Sequence, residues 1–89
     1  MIAWNEAKRA RNIAKHGVDL ARAEGFEWAT ALTAIDGRAD YGEVREIALG
    51  FIGPRLHVIV FTRRGDDIHV ISLRKANKRE CARYDKTET

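Results

Sequence analysis

Three apolar runs separated by two short turns, between residues 44 and 74, constrain the fold of this chain most strongly. The runs read VREIALGFI, RLHVIVFTR and IHVISLR, and the turn signals between them are Gly53–Pro54 and RGDD. The middle run is apolar on both faces at its centre, which is typical of a central strand. The pattern predicts a three-stranded antiparallel meander, and the stretch ALTAI at residues 31–35 is an ambiguous fourth strand.

Helical signals lie on both sides of these strands. Asn5 as the N-cap, an apolar stripe at helical spacing and Gly17 as the residue after the last turn predict a first helix over Asn5–His16. Asp19 is placed to cap a short second helix that Gly25 weakens by about 1 kcal/mol. Asn77 and Glu80 stand three residues apart, as in a capping box, which predicts the start of a last helix. The order predicts an α+β domain with two N-terminal helices, an antiparallel sheet of three to four strands and a C-terminal helix, its helices on one face of the sheet.

The length of 89 residues predicts one domain, residues 1–89, with a single core. No apolar run approaches the 18 to 20 or so residues that span a bilayer, so no membrane partner is expected. The first residues lack the apolar segment of a signal peptide, and Cys81 has no second cysteine to pair with. These features together predict a cytoplasmic protein.

The net charge of +3 is unevenly distributed along the chain. Residues 1–16 carry four cations and one carboxylate, residues 74–86 carry six cations and two carboxylates, and the residues between them are slightly acidic. Two basic ends that meet in space would form a patch for nucleic acid. The alternative is two basic helix faces that are solvated separately.

Metal and nucleotide motifs are not found in the sequence. His16, His57 and His69 show neither HxH nor HExxH spacing, and no GxxxxGK[ST] loop is present. Neither a metal site nor a cofactor is therefore expected.

Three blocks of the sequence, taken in order, resemble one known family. They are WNEAK…NIAKHGVD from Trp4 to Asp19, DGRADYGEVR from Asp36 to Arg45, and HVISLRKANKRE…RY from His69 to Tyr84. The chain is thereby identified as resembling the BrnT family of type II toxin–antitoxin systems. It departs from the family pattern at Gly25, where the helix usually continues, and at Asn5, where Asp is usual.

The resemblance implies a RelE-like ribonuclease fold in a single BrnT-like domain, and RNA cleavage that stops translation. It also implies neutralisation by a BrnA-type antitoxin with a DNA-binding domain, so that operator DNA is contacted only through the antitoxin. Cleavage of RNA without a metal requires a group that takes the 2′-OH proton, charge that stabilises the phosphorane, and a group that protonates the leaving 5′-oxygen. The candidate catalytic residues are Arg45, Arg74, Arg79, Glu80, His16 and His57. The candidates for binding RNA phosphates are Lys15, Lys75, Lys78, Arg83 and Tyr84.

Several of these candidates also have a structural explanation. Arg45 and Arg74 end apolar strand faces, where an arginine either extends to water or borders a cleft; Arg74 is expected on the face of Val70 and Ser72. The helix dipole alone explains a histidine at position 16, and the capping box alone explains Glu80. The clustered basic residues together with the resemblance predict a metal-independent endoribonuclease, and the alternative is a non-catalytic nucleic-acid-binding or protein-interaction module.

Overall fold

A computed structural model describes residues 1–38, 40 and 42–88 of the chain, so Ala39 and Tyr41 of the central block lie outside the described residues. Five strands, two α-helices and one 3₁₀ helix make up the described chain. In order they are β1 (Ile2–Trp4), α1 (Glu6–His16), the 3₁₀ helix (Leu20–Gly25), β2 (Leu32–Ile35), β3 (Glu46–Ile52), β4 (Arg55–Arg64), β5 (Asp67–Lys75) and α2 (Lys78–Glu88). Within these ranges no helix has the length and apolar character needed to cross a membrane.

The strands form one mixed sheet in the order β1-β5-β4-β3-β2. The predicted meander is present as β3, β4 and β5, and β2 pairs antiparallel with β3. The prediction of a wholly antiparallel sheet of three to four strands is wrong, because β1 adds a fifth strand that runs parallel to β5. Three residues are too short to show an alternating pattern, and the partner of Ile2 is Ile68, far along the chain.

The predicted second helix is a six-residue 3₁₀ helix and not an α-helix, so the expectation of two N-terminal helices is corrected. Asp19 does cap it, accepting a hydrogen bond from the Ala21 N–H at 2.9 Å. The buried residues Leu20, Ala23 and Phe26 recur every three positions, which matches the three residues per turn of a 3₁₀ helix.

The two ends of α1 follow the predicted capping rules. Asn5 accepts hydrogen bonds from the backbone N–H groups of Ala7 and Lys8, at 2.8 and 3.2 Å. Gly17 ends the helix in the left-handed conformation at φ 69°, and its N–H donates to the Ile13 carbonyl at 2.8 Å. Local sequence is therefore sufficient to define this helix.

The helical segments pack on both faces of the sheet, so the expectation of helices on one face is wrong. The 3₁₀ helix covers a core cluster that includes Ile59 and Phe61 of β4. Tyr84 of α2 packs in a second cluster that includes Leu56 and Val58. Because successive strand residues point to opposite faces, the two clusters lie on opposite sides of the sheet.

An irregularity in β5 decides which residues point toward α2. Val60 pairs with Ser72 but Phe61 pairs with Val70, so Ile71 is an extra residue in β5. Val70 consequently joins the cluster beneath the 3₁₀ helix, whereas Arg74 lies opposite Val58 on the other face. The expectation that Arg74 shares a face with Val70 is corrected by this bulge.

Asn12 fixes α1 against the sheet where β1 ends. Its side-chain NH₂ donates to the carbonyls of Val18 and Leu73, at 2.8 and 2.6 Å, and its oxygen accepts from the Leu73 N–H at 3.1 Å. Since β1 pairs with β5 only as far as Val70, the Asn12 amide serves the backbone of β5 just beyond it. This contact places α1 beside the end of β5 that carries Arg74.

Candidate functional site

A cleft of about 640 Å³ lies over the sheet face that carries Ile47, Val58 and Val60. Residues of α1, of α2, of the three central strands and of the loop before β3 form its lining. They are Lys8, Arg11, Asn12, Lys15, His16, Arg38, Arg45, Ile47, Val58, Val60, Ile71, Ser72, Arg74, Glu80 and Arg83. This lining holds seven lysines and arginines against one carboxylate, so the cleft favours a polyanion.

The helix α1 contributes three of these cations from one face. Lys8, Arg11 and Lys15 are spaced three and four residues apart, which places them in one row along the helix. Lys8 and Arg11 were not among the residues predicted for the site. Their helical spacing is the sequence signal that identifies them, provided that the face is known to border the cleft.

Arg74 and Glu80 form a two-point ion pair inside the cleft. The Nη1 and Nη2 groups of Arg74 each donate to one carboxylate oxygen of Glu80, both at 2.8 Å. The hydrogen bond to Arg74 lowers the pKa of Glu80 to about 2, and the same bond raises the pKa of Arg74. Glu80 also completes the predicted capping box, since its carboxylate accepts from the Asn77 N–H at 2.9 Å and its own N–H donates to the Asn77 side chain at 2.8 Å.

His16 lies half-buried at the end of α1 and lines the same cleft. Burial lowers the pKa of its imidazole below 6.5, and the neighbouring charges of Lys15 and Arg74 lower it further. The lowered pKa favours the neutral imidazole, which is the form that can accept a proton.

The loop before β3 supplies two further arginines. Arg38 donates from Nε and Nη2 to the two oxygens of the buried Asp36, both at 2.8 Å. Arg45 is held near β2 by its carbonyl, which accepts from the Asp36 N–H at 2.7 Å, and its Nε lies 4.0 Å from an oxygen of Glu43. Arg38 was missed by sequence reasoning, although an aspartate two residues before an arginine is consistent with this local pairing.

The structure therefore brings together six of the predicted site residues. Arg45, Arg74, Glu80, His16, Lys15 and Arg83 all line the cleft. The other five lie elsewhere, for three different reasons.

His57 and Lys75 lie on the opposite face of the sheet. They are paired across β4 and β5, in the positions next to Val58 and Arg74. His57 is fully buried, and its Nδ1–H donates to the Arg55 carbonyl at 2.9 Å. Burial lowers the pKa of this imidazole as well.

Tyr84 has a packing role in the second core cluster. Its hydroxyl donates to the Thr30 carbonyl at 2.9 Å, and its ring meets Phe51 edge to face at 5.4 Å. Lys78 and Arg79 are exposed in the first turn of α2 and are not part of the cleft lining.

Potential metal ligands are dispersed in the described part of the chain. Within residues 1–38, 40 and 42–88, no three side chains of His, Cys, Asp or Glu come together as they would around an ion.

Comparison with known proteins gives this basic cleft a family context. Residues 4–80 match a family model described as the ribonuclease toxin BrnT of type II toxin–antitoxin systems. No match was found among curated proteins. Among solved structures, the 1.1 Å crystal structure of the Brucella abortus ribonuclease toxin BrnT is similar, with 36% sequence identity and a TM-score of 0.68 over 86% of this chain and 96% of that chain. The chain therefore belongs to the BrnT family of ribonuclease toxins of type II toxin–antitoxin systems.

Proposed function

We propose that this protein is an endoribonuclease that cleaves RNA in the basic cleft without a metal ion and thereby arrests translation. The observation that carries the proposal is that seven cations and the half-buried His16 line one cleft. Cations that are fixed in place stabilise the extra negative charge of a phosphorane, which is the task that a metal ion performs in other nucleases.

The cations divide into two groups by their positions. Lys8, Arg11 and Lys15 form a row on α1 that suits successive phosphates of a single strand. Arg45 comes from the loop just before β3 and Arg74 from β5, and both line the cleft together with the apolar residues Ile47, Val58 and Val60. We assign Lys8 and Arg11 to RNA binding and Lys15 to proton donation. We assign Arg45 and Arg74 to the scissile phosphate.

The reaction follows from these assignments. The neutral imidazole of His16 takes the proton of a 2′-OH, and the 2′-oxygen attacks the adjacent phosphorus. Arg45 and Arg74 stabilise the phosphorane, and the bond to the 5′-oxygen then breaks while Lys15 supplies a proton to that oxygen. The products are a 2′,3′-cyclic phosphate and a free 5′-hydroxyl.

Membership of a type II family implies a protein antitoxin as partner. We propose that the antitoxin is of the BrnA type and acts in the cytoplasm, and that operator DNA is bound by the antitoxin and not by this chain. The cationic cleft supports an inhibitor that presents acidic side chains, because such a segment would compete with RNA for the same charges.

An RNA cleavage assay in EDTA tests the proposal. The purified protein is expected to cut RNA with equal rates in EDTA and in magnesium, and to leave 2′,3′-cyclic phosphate ends. His16→Ala should lower the activity at least 100-fold, whereas Lys75→Ala, purified identically, should retain it. This pair of results would exclude a contaminating nuclease. RNA that is bound but stays intact would overturn the proposal in favour of a non-catalytic binding module.

Expression in cells tests the biological part separately. Expression of this chain alone should arrest growth, and co-expression of the neighbouring gene should restore growth and yield a co-purifying complex. If expression is harmless, or if the neighbour neither binds nor protects, the toxin–antitoxin assignment is refuted for this protein.

A further inference from the structure

The geometry around Arg74 assigns a specific role to Glu80. We infer that Glu80 is a positioning residue, which holds the Arg74 guanidinium in the orientation that it needs at the scissile phosphate. The inference rests on the proposed function, because the phosphate is that of a bound RNA. Glu80, a candidate catalytic residue in the sequence, would then act through Arg74 and not on the RNA directly.

The pairing between the two side chains leaves the right donors available. Glu80 engages Arg74 end-on, through Nη1 and Nη2, and the outer Nη1–H also points to the Lys75 carbonyl at 3.4 Å. A guanidinium has five N–H donors in a fixed planar fork. The side-on edge, formed by Nε–H and the second Nη2–H, therefore faces away from Glu80 and retains the two-donor geometry that a phosphate accepts.

Glu80 is itself held from two directions. Its carboxylate accepts from the Asn77 N–H, and its backbone N–H donates to the Asn77 side chain, so that the first turn of α2 is closed around it. Further along α2, Tyr84 is buried and bonded to the Thr30 carbonyl. The first turn of α2 is thus held in place, and from it the Glu80 side chain reaches Arg74 near the end of β5.

The surroundings of Glu80 disfavour a role as general base. Both carboxylate oxygens already accept hydrogen bonds, one from each Nη of Arg74, and the side chain is only 17% exposed. A carboxylate with a pKa of about 2 is also a weak proton acceptor near neutral pH. Its constant negative charge suits it instead to orient a cation.

The variant Glu80→Gln separates positioning from helix capping. A glutamine retains an oxygen for the Asn77 N–H, as capping boxes allow, but presents an NH₂ group and no charge to Arg74. We expect kcat for RNA cleavage to fall about 10- to 100-fold, with KM changed less than about threefold, because a small misplacement of a catalytic group has effects of this size. The matched control Asn77→Ala removes the reciprocal cap and leaves the Arg74–Glu80 pair, so its kcat should stay within about twofold of wild type.

Two further measurements show whether Glu80 acts through Arg74. In an Arg74→Ala background, Glu80→Gln should change kcat by less than about twofold, since the group to be positioned is absent. Nitrogen-15 NMR of the arginine side chains should show separate Nη–H signals for Arg74 in wild type and Asn77→Ala, and averaged signals in Glu80→Gln. The NMR measurement does not depend on activity.

The outcomes distinguish this inference from the proposed function. If the wild-type protein leaves RNA intact, the proposed function fails, whatever the NMR spectra show. If wild type cleaves RNA, three results would each refute the positioning role of Glu80. They are an unchanged kcat in Glu80→Gln, an equal fall in kcat when Glu80→Gln is introduced into Arg74→Ala, and separate Arg74 Nη–H signals that persist in Glu80→Gln.

Discussion

Arg74 and Lys75 are adjacent cations at the end of β5 whose side chains lie on opposite faces of the sheet. Arg74 lines the cleft, whereas Lys75 is exposed on the other side beside His57. We expect Arg74→Ala to lower kcat/KM for RNA cleavage about 100-fold, the effect of removing one donor that stabilises developing charge. A fluorescent RNA reporter measures the rate.

Lys75→Ala is the matched control for this prediction. The two variants remove one positive charge each from neighbouring positions, so they alter the net charge equally. Lys75→Ala should keep kcat/KM within about twofold of wild type. Equal losses in the two variants would show that overall charge and not the cleft determines the activity.

His16 predicts how activity depends on pH. Since burial and two nearby cations lower its pKa below 6.5, the imidazole is in the base form at pH 7 and becomes protonated only in more acidic solution. The rate of cleavage should therefore be level near pH 7 and fall through an apparent pKa below 6.5. His16→Ala should lower the rate at pH 7 at least 100-fold, and the rate that remains should no longer fall in acidic solution.

A histidine outside the cleft serves as the control for the pH profile. His57→Gln should retain the acidic decline at the same apparent pKa, because His57 is on the opposite face of the sheet. An unchanged profile in His16→Ala would contradict the assignment of His16 as the base.

At the level of the elements, one side chain connects α1 to the sheet. Asn12 makes three buried hydrogen bonds, two of them to the backbone of Leu73, and it is the buried residue of α1. Asn12 therefore links the helix that carries the row of cations to the strand that carries Arg74. Loss of the Asn12 hydrogen bonds should lower the stability of the fold and change the shape of the cleft.

Asn12→Ala is expected to lower the free energy of unfolding by about 2 to 4 kcal/mol, because buried backbone groups lose their partners. Urea denaturation measures the loss. Asn5→Ala, which removes an exposed helix cap, should cost only about 1 kcal/mol. Similar values for the two variants would mean that Asn12 contributes no more than an ordinary cap.

At the level of the whole molecule, the buried His57 predicts a dependence of stability on pH. Burial lowers its folded-state pKa below the unfolded value of 6.5, the hydrogen bond to the Arg55 carbonyl opposes this shift, and the charges of Arg22, Arg55 and Lys75 add to it. Below pH 6.5 the unfolded chain therefore binds a proton that the folded chain does not, and the free energy of unfolding decreases as the pH falls toward the folded-state pKa.

Denaturation of wild type and His57→Gln between pH 7.5 and 5 tests this linkage. The variant should show a smaller decrease in the free energy of unfolding over this range, whatever its stability at pH 7.5. The slope of the free energy of unfolding against pH is compared, and not its value at one pH, because the substitution itself alters packing. Parallel slopes would show that His57 does not titrate differently in the two states.

The charge of the cleft predicts how RNA binding responds to salt. For the His16→Ala protein, whose slow cleavage allows binding to be measured, the logarithm of the binding constant should fall linearly with the logarithm of salt concentration, with a slope of about −0.7 per phosphate contacted. Arg11→Ala, in the same background, should make the slope shallower by about 0.7. Lys78→Ala removes an exposed cation outside the cleft lining and should leave the slope unchanged.

The sequence by itself determined the elements that local rules define. The caps at Asn5 and Gly17, the capping box of Asn77 and Glu80, and the three strands of the meander all lie where the pattern predicts them. Each depends on residues within a few positions of one another, so neighbouring side chains are enough to specify it. The resemblance likewise needed only the order of local blocks, and the family comparison confirmed it.

Only the tertiary structure decided which elements and charges meet. The pairing of Ile2 with Ile68 and the bond from Asn12 to Leu73 join distant parts of the chain, which no local pattern encodes. Ile71 is an extra residue in β5, and one inserted residue moves every later side chain of the strand to the other face of the sheet. Arg74 consequently reaches the cleft, whereas Lys75, identical in charge and adjacent in sequence, does not.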